Sequence, residues 1–177
     1  MKLHYRLALL LLTLALGACG WELRGDYDLP AELTHIDLRA QQPDHPLVLK
    51  FERALKVAGV DAQDSGAATA VLNIGKINRE LRNVAVDSRG RASEKGLWLS
   101  VAVSAMTPEG EMLLQQTTLS TNRIYRYDPN NVVAKDEEEQ LIEQELYDNL
   151  VGQLMRRLRR IDTNKLINTN TPSAVAD

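Results

Sequence analysis

One cysteine, three histidines and an excess of acid over base set the first limits on this sequence of 177 residues. A lone thiol, Cys19, closes no intramolecular disulfide, so the fold must be held by its core. His4 falls in the amino-terminal apolar segment, while His35 and His45 stand alone, without H-E-x-x-H spacing or a partner cysteine; both read as surface or edge residues, and no metal site is expected. Equally missing are a G-x-S-x-G elbow, a P-loop and a dinucleotide fingerprint, so no catalytic residue and no cofactor is expected. The balance of 21 basic against 24 acidic residues excludes a broadly basic nucleic-acid binder. The apolar run at 7–16 is too short to span a bilayer as a helix.

What is there begins with that run. Lys2 and Arg6 precede it and small residues follow, the order of a secretory signal. Leu16-Gly17-Ala18-Cys19 has the form of a bacterial lipobox, which predicts cleavage before Cys19 and acylation of its thiol; the alternative is an ordinary signal followed by a free cysteine. More than one acyl chain is needed for stable anchoring, and a diacylated, N-acylated cysteine supplies them. Gly20 after the cysteine, where an aspartate is absent, matches the pattern of lipoproteins sorted to the outer membrane, so the expected location is its periplasmic side. Loss of residues 1–18 removes Lys2 and Arg6, leaving 19 basic against 24 acidic residues and a formal charge of −5.

The rest reads as an extended leader at 19–32, a single domain at 33–161 and a disordered tail at 162–177, where Asn, Thr, Ser, Ala and Pro cannot bury enough apolar area to offset chain entropy. Ile36 and Leu38 alternate with Asp37 and Arg39, predicting a strand over 33–39. Asp44 as N-cap, Pro46 in the first turn and a stripe of Leu47, Phe51, Ala54, Leu55 and Ala58 predict a helix ending at Gly59. A long strand follows over 70–87, with Leu72, Ile74 and Ile77 as core and Gly75 as a bulge. After the turn residues 87–91, alternation over 97–106 marks the strongest strand; Pro108-Glu109-Gly110 then turns the chain into a strand over 112–127. The last element is a helix opened by Asp136 and Glu139 at capping-box spacing, with Ile142, Leu146, Leu150, Leu154 and Leu158 at i+4 and Arg156, Arg157, Arg159 and Arg160 at its end. The acidic run 136–139 has the composition of a cation site, but negative charge at a helix N-terminus explains it with less.

The order β-α-β-β-β-α predicts an α+β fold: a mixed four-stranded sheet with two α-helices packed on one face. The other face is left partly open, with Trp98, Ala102 and Met106 placed to meet a partner. Arg79, Arg82, Arg89 and Arg91 gather along one strand and its hairpin tip, and Lys135 precedes the last helix. A solvated turn is the bland reading. The sharper one is an anion site, because guanidinium grips phosphate bidentately.

Cys19-Gly20-Trp21-Glu22-Leu23-Arg24 resembles the C-G-[WF]-x-L-R start of the LPS-assembly lipoprotein family LptE. Leu72-Asn73-Ile74-Gly75-Lys76, the Arg-Gly turn, and Ala134-Lys135-Asp136 with Glu145-Leu146-Tyr147-Asp148 extend the likeness from Cys19 to about Ile161. The resemblance implies a non-enzymatic outer-membrane plug within an LptD-like β-barrel, aiding barrel assembly and delivery of lipopolysaccharide to the outer leaflet. It also implies lipopolysaccharide contact at Lys135 and, with the basic residue displaced by about one position, at Arg89 and Arg91. A scaffold of another outer-membrane machine, or a lipid-anchored hydrolase, is the alternative.

Overall fold

The computed structural model describes residues 28–62, 68–128 and 132–162 together with Asn164 and Leu166, the side chains of residues 132–135 excepted. Cys19 lies outside the described residues. Four strands and two helices follow in the expected order: β1 (Ile36–Ala40), α1 (Pro46–Val57), β2 (Ala70–Val86), β3 (Ala92–Met106), β4 (Met112–Arg126) and α2 (Val132–Leu158). The sheet order is β1-β2-β3-β4. β1 runs parallel to β2 because a helix joins them, and the two hairpins make the remaining pairs antiparallel. Ile74 pairs with Val103 and Ile77 with Val101, so β2 carries one extra residue at Gly75-Lys76, the predicted bulge.

Both helices lie on the same side of the sheet. Leu72, Ile74, Leu97, Leu99, Val101, Val103 and Leu119 point into one core with Leu47, Phe51 and Leu55 of α1 and Leu146, Leu150 and Leu154 of α2. Phe51, the only phenylalanine, is completely enclosed. Alternation along β3 puts Trp98, Ser100, Ala102, Ser104 and Met106 on the opposite side, where they are half-buried. A shallow cavity of about 370 Å³ lies on that side, lined in part by Arg39, Gln41, Gly75, Ala102 and Gln116. β2 from Asn78 onward is largely exposed, so the β2–β3 hairpin runs out past the core.

Several boundaries differ from expectation. The N-cap of α1 is His45, not Asp44: its ring Nδ1 accepts the Leu47 N–H at 3.1 Å. Pro46 explains this, since the residue before a proline is pushed into extended backbone and becomes the cap by default. β3 begins at Ala92, five residues before the alternation becomes visible. α2 begins at Val132, so its first turn holds no acid and Asp136 and Glu139 do not form a capping box. It ends at Leu158, yet Ile161 and Leu166 are both buried, and packing continues at least that far along the chain.

Candidate functional site

The long hairpin and the start of α2 meet at one end of the molecule. At the hairpin tip Asp87 organises the turn: its carbonyl accepts the Gly90 N–H at 2.9 Å and its N–H donates to the Arg91 carbonyl at 2.8 Å. Gly90 has φ of 75°, a left-handed conformation that glycine adopts without strain. One Asp87 oxygen accepts the backbone N–H groups of Arg89 and Arg91, and the other accepts from the Arg91 guanidinium at 2.9 and 3.0 Å. The Arg91 backbone N–H above all, then that of Arg89 and the Arg91 guanidinium, holds the Asp87 carboxyl below its ordinary range. Arg91 is therefore partly engaged, whereas the exposed Arg89 makes no ion pair among the described residues.

The other arginines of the predicted cluster point elsewhere. Arg82 binds Glu80 at 2.5 and 2.6 Å and stacks over the Trp98 ring, 5.0 Å from its centroid, on the open face. Trp98 in turn folds over Gly96, where a Cβ would collide with the indole. Arg79 reaches the helix side and bridges Glu139 and Glu143 of α2, the latter at 3.2 Å. Tyr125 of β4 donates to the second oxygen of Glu139 at 2.5 Å, and Tyr147 donates to Glu143. Burial raises the Glu139 carboxyl, but the Tyr125 hydroxyl and the Arg79 guanidinium together bring it below its usual value. Burial, with the carboxylate beside it, pushes the Tyr125 hydroxyl up. Glu139, within the acidic run, is thus part of a tertiary clamp, and because α2 starts at Val132 the run lies past the first turn, which corrects the helix-dipole expectation.

This clamp sets the first turns of α2 beside the end of β4, and the backbone of Lys135 belongs to that first turn. The Lys135 side chain lies outside the described residues. Three cations at this end escaped prediction. Register brings Arg126 opposite Glu94 and Lys95 opposite Tyr125, with Arg123 opposite Leu97; the Lys95 ammonium sits 3.5 Å from the Tyr127 ring centroid. Counting pairs back from the Pro108–Gly110 turn would have brought them to this end, with two register shifts near the turn moving each pairing by two residues. Around these cations Leu81, Val84, Val86 and Ile124 expose 39 to 61 % of their surface. Among the described residues no helix is long and apolar enough to cross a membrane, and no cluster of three or more His, Cys, Asp or Glu is placed to hold a metal ion.

The family model for LptE, described as lipopolysaccharide-assembly, matches residues 33–158. The chain belongs to the LptE family. It is 29 % identical over 160 residues to the LPS-assembly lipoprotein LptE of Photorhabdus laumondii, covering 88 % of this chain and 87 % of that one. The LptE of Pectobacterium atrosepticum is 26 % identical over 182 residues, covering 97 % and 98 % of the two chains. The solution structure of lipoprotein B from Nitrosomonas europaea superposes with a TM-score of 0.64 at 19 % identity, covering 85 % of this chain and 94 % of that one, a likeness of fold. The matched span of the LptE model begins at the buried Leu33 and ends at Leu158, the last residue of α2, so it takes in every strand and helix described above.

Proposed function

We propose that this LptE-family chain is a non-enzymatic outer-membrane lipoprotein, acylated at Cys19, that partners an LptD-like β-barrel and contacts lipopolysaccharide through its hairpin end. The observation that carries this reading is chemical. On an acidic chain, one end combines Arg89, in no ion pair with a described residue, the partly engaged Arg91, Arg123 and Arg126 with exposed Val84, Val86 and Ile124. An amphiphile that carries phosphates beside acyl chains needs both kinds of partner, charge-assisted hydrogen bonds and apolar surface. Lys135 in the first turn of α2 would add a further basic contact from a separate element.

Relatives named LPS-assembly lipoprotein support the lipid-anchored, outer-membrane part of the reading. The half-buried open face around Trp98, Ala102 and Met106 supports a large partner, because neither described helix covers it. The test is affinity isolation of the acylated protein from detergent-extracted membranes, alone and with Arg89→Glu and Lys135→Glu together. A stoichiometric β-barrel with bound lipopolysaccharide is expected, with lipopolysaccharide reduced in the double variant. Recovery of a different assembly, or lipopolysaccharide unchanged in the variant, would defeat the corresponding half of the proposal.

A further inference from the structure

The opposite end of the fold carries its own concentration of charge. Arg156, Arg157, Arg159 and Arg160 crowd into the end of α2 and the turn after it, all exposed and none in an ion pair with a described residue. A helix C-terminus favours cations in its last turn, a need that Arg156 and Arg157 already meet. Arg159 and Arg160 lie beyond the helix. Leu154, Met155, Leu158 and Ile161 face the core, which turns the arginines outward as a group. Arg156, Arg157 and Arg160 share the rim of a shallow cavity of about 260 Å³ with Gln153, whose amide is fixed on the Ser120 carbonyl and Asn149. Asp162, the next acid along the chain, is engaged by Asn164.

Topology says where this end points. α2 runs antiparallel to β4, since Glu139 meets Tyr125 while Gln153 meets Ser120. Its last turn therefore lies toward the end of the sheet where β4 starts, β3 finishes and β1 and β2 begin together. The chain enters there as well, with Leu33 buried just before β1. Between Cys19 and Asp28 nine peptide steps separate the anchor from the described fold, a span of at most roughly 30 Å.

We propose that Arg156, Arg157 and Arg160, flanked by Arg159, dock on the phosphate headgroups of anionic phospholipids and hold this end of the domain against the bilayer. Guanidinium forks match phosphate oxygens bidentately, and an anionic leaflet attracts basic groups within a Debye length of about 10 Å. With this end at the headgroups, the hairpin tip lies at the far end of the domain, separated from them by up to the length of the 17-residue β2, about 55 Å. The orientation rests on acylation of Cys19; the headgroup contact does not.

The experiment uses the chain from residue 19 onward with Cys19→Ser, so that no acyl chain contributes, and measures co-sedimentation with phosphatidylglycerol–phosphatidylcholine vesicles against phosphatidylcholine alone. Binding to the anionic vesicles alone, weakening as salt rises, is expected. Arg156→Gln, Arg157→Gln and Arg160→Gln together should lower the partition coefficient roughly a hundredfold, at about fivefold per arginine. The three corresponding lysine changes should retain most of it, with circular dichroism unchanged in both variants. Binding that survives the glutamine changes, or that is lost instead through Arg89→Gln with Arg91→Gln, overturns the proposal. Labelling of Cys19 with a palmitate analogue in cells reads the anchor separately: arginine-dependent binding without label refutes the tether and leaves the docking surface standing.

Discussion

Tyr125 and Glu139, fourteen residues apart in the chain, share a 2.5 Å hydrogen bond that ties the last residues of β4 to the second turn of α2. Arg79 closes the arrangement from β2 by bridging Glu139 and Glu143. Without the guanidinium, two half-buried carboxylates one helical turn apart would repel each other. Arg79→Ala is expected to lower stability by about 1–2 kcal/mol, a figure reduced for the partial exposure of the group. Urea denaturation checks the magnitude, and hydrogen exchange should show faster opening of residues 136–147 than of the α2 C-terminal half.

The same clamp predicts a pH dependence. The Glu139 carboxyl titrates lower in the folded protein than in the unfolded chain, so its contribution is complete above the unfolded value and is lost as pH falls through the folded one. Stability should drop on acidification below about pH 4.5. In Arg79→Ala that acid-dependent loss should shrink, because one cause of the depressed titration is gone. Equal slopes for the two proteins between pH 5 and pH 3 would count against the assignment.

His45 supplies a second and separable pH signal. Burial lowers its imidazole titration, opposed by the Glu143 charge, and its Nδ1 must be unprotonated to accept the Leu47 N–H. A basic group whose folded value is depressed contributes stability above its unfolded value, near pH 6.5, that is lost as pH falls. His45→Ala should cost about 1 kcal/mol at pH 8, the usual worth of an N-cap. His45→Asn should keep the cap while removing the dependence between pH 7 and pH 5, as followed by thermal unfolding.

Gly96 and Trp98 form a pair whose coupling is measurable. The indole lies over the space that a Cβ at residue 96 would fill, with Arg82 stacked on it. Gly96→Ala should destabilise by about 1–3 kcal/mol through overpacking, and the loss should be smaller when Trp98→Ala is already present. Additive losses in a double-mutant cycle would show that the ring moves aside freely.

The element order was legible because its signals are local. Alternation over 97–106, the i+4 stripe from Ile142 to Leu158 and the turn residues at 87–91 and 108–110 each sit within a single element or turn, and the sheet follows from them. What stayed hidden depends on residues distant in the chain. Glu139 reads as dipole charge until Arg79, sixty residues away, is placed beside it. Arg82 counts toward an anion site until the hairpin register sets it over Trp98, sixteen residues away. Arg126 looks remote from the tip until pairing with Glu94 brings it close. The His45 cap, by contrast, was local and readable from Pro46, because a proline determines the backbone of the residue before it.

Arg89 and Arg91 differ in what a ligand must displace, and this ranks them. The Arg91 guanidinium already holds Asp87 through two contacts, so phosphate binding there must first break an existing ion pair or accept a carboxylate alongside it. Arg89 has no such partner among the described residues, and its backbone N–H, bonded to Asp87, holds the residue at the tip. If the hairpin end contacts lipopolysaccharide as proposed, Arg89→Gln should weaken binding roughly tenfold, the worth of a single charge-assisted hydrogen bond. Arg91→Gln should weaken it less, and Asp87→Asn should partly compensate by releasing Arg91. Surface plasmon resonance on immobilised lipopolysaccharide at two salt concentrations distinguishes the cases. A larger loss from Arg91→Gln than from Arg89→Gln would mean that the Asp87–Arg91 pair, rather than the unengaged guanidinium, is the element that shapes the contact.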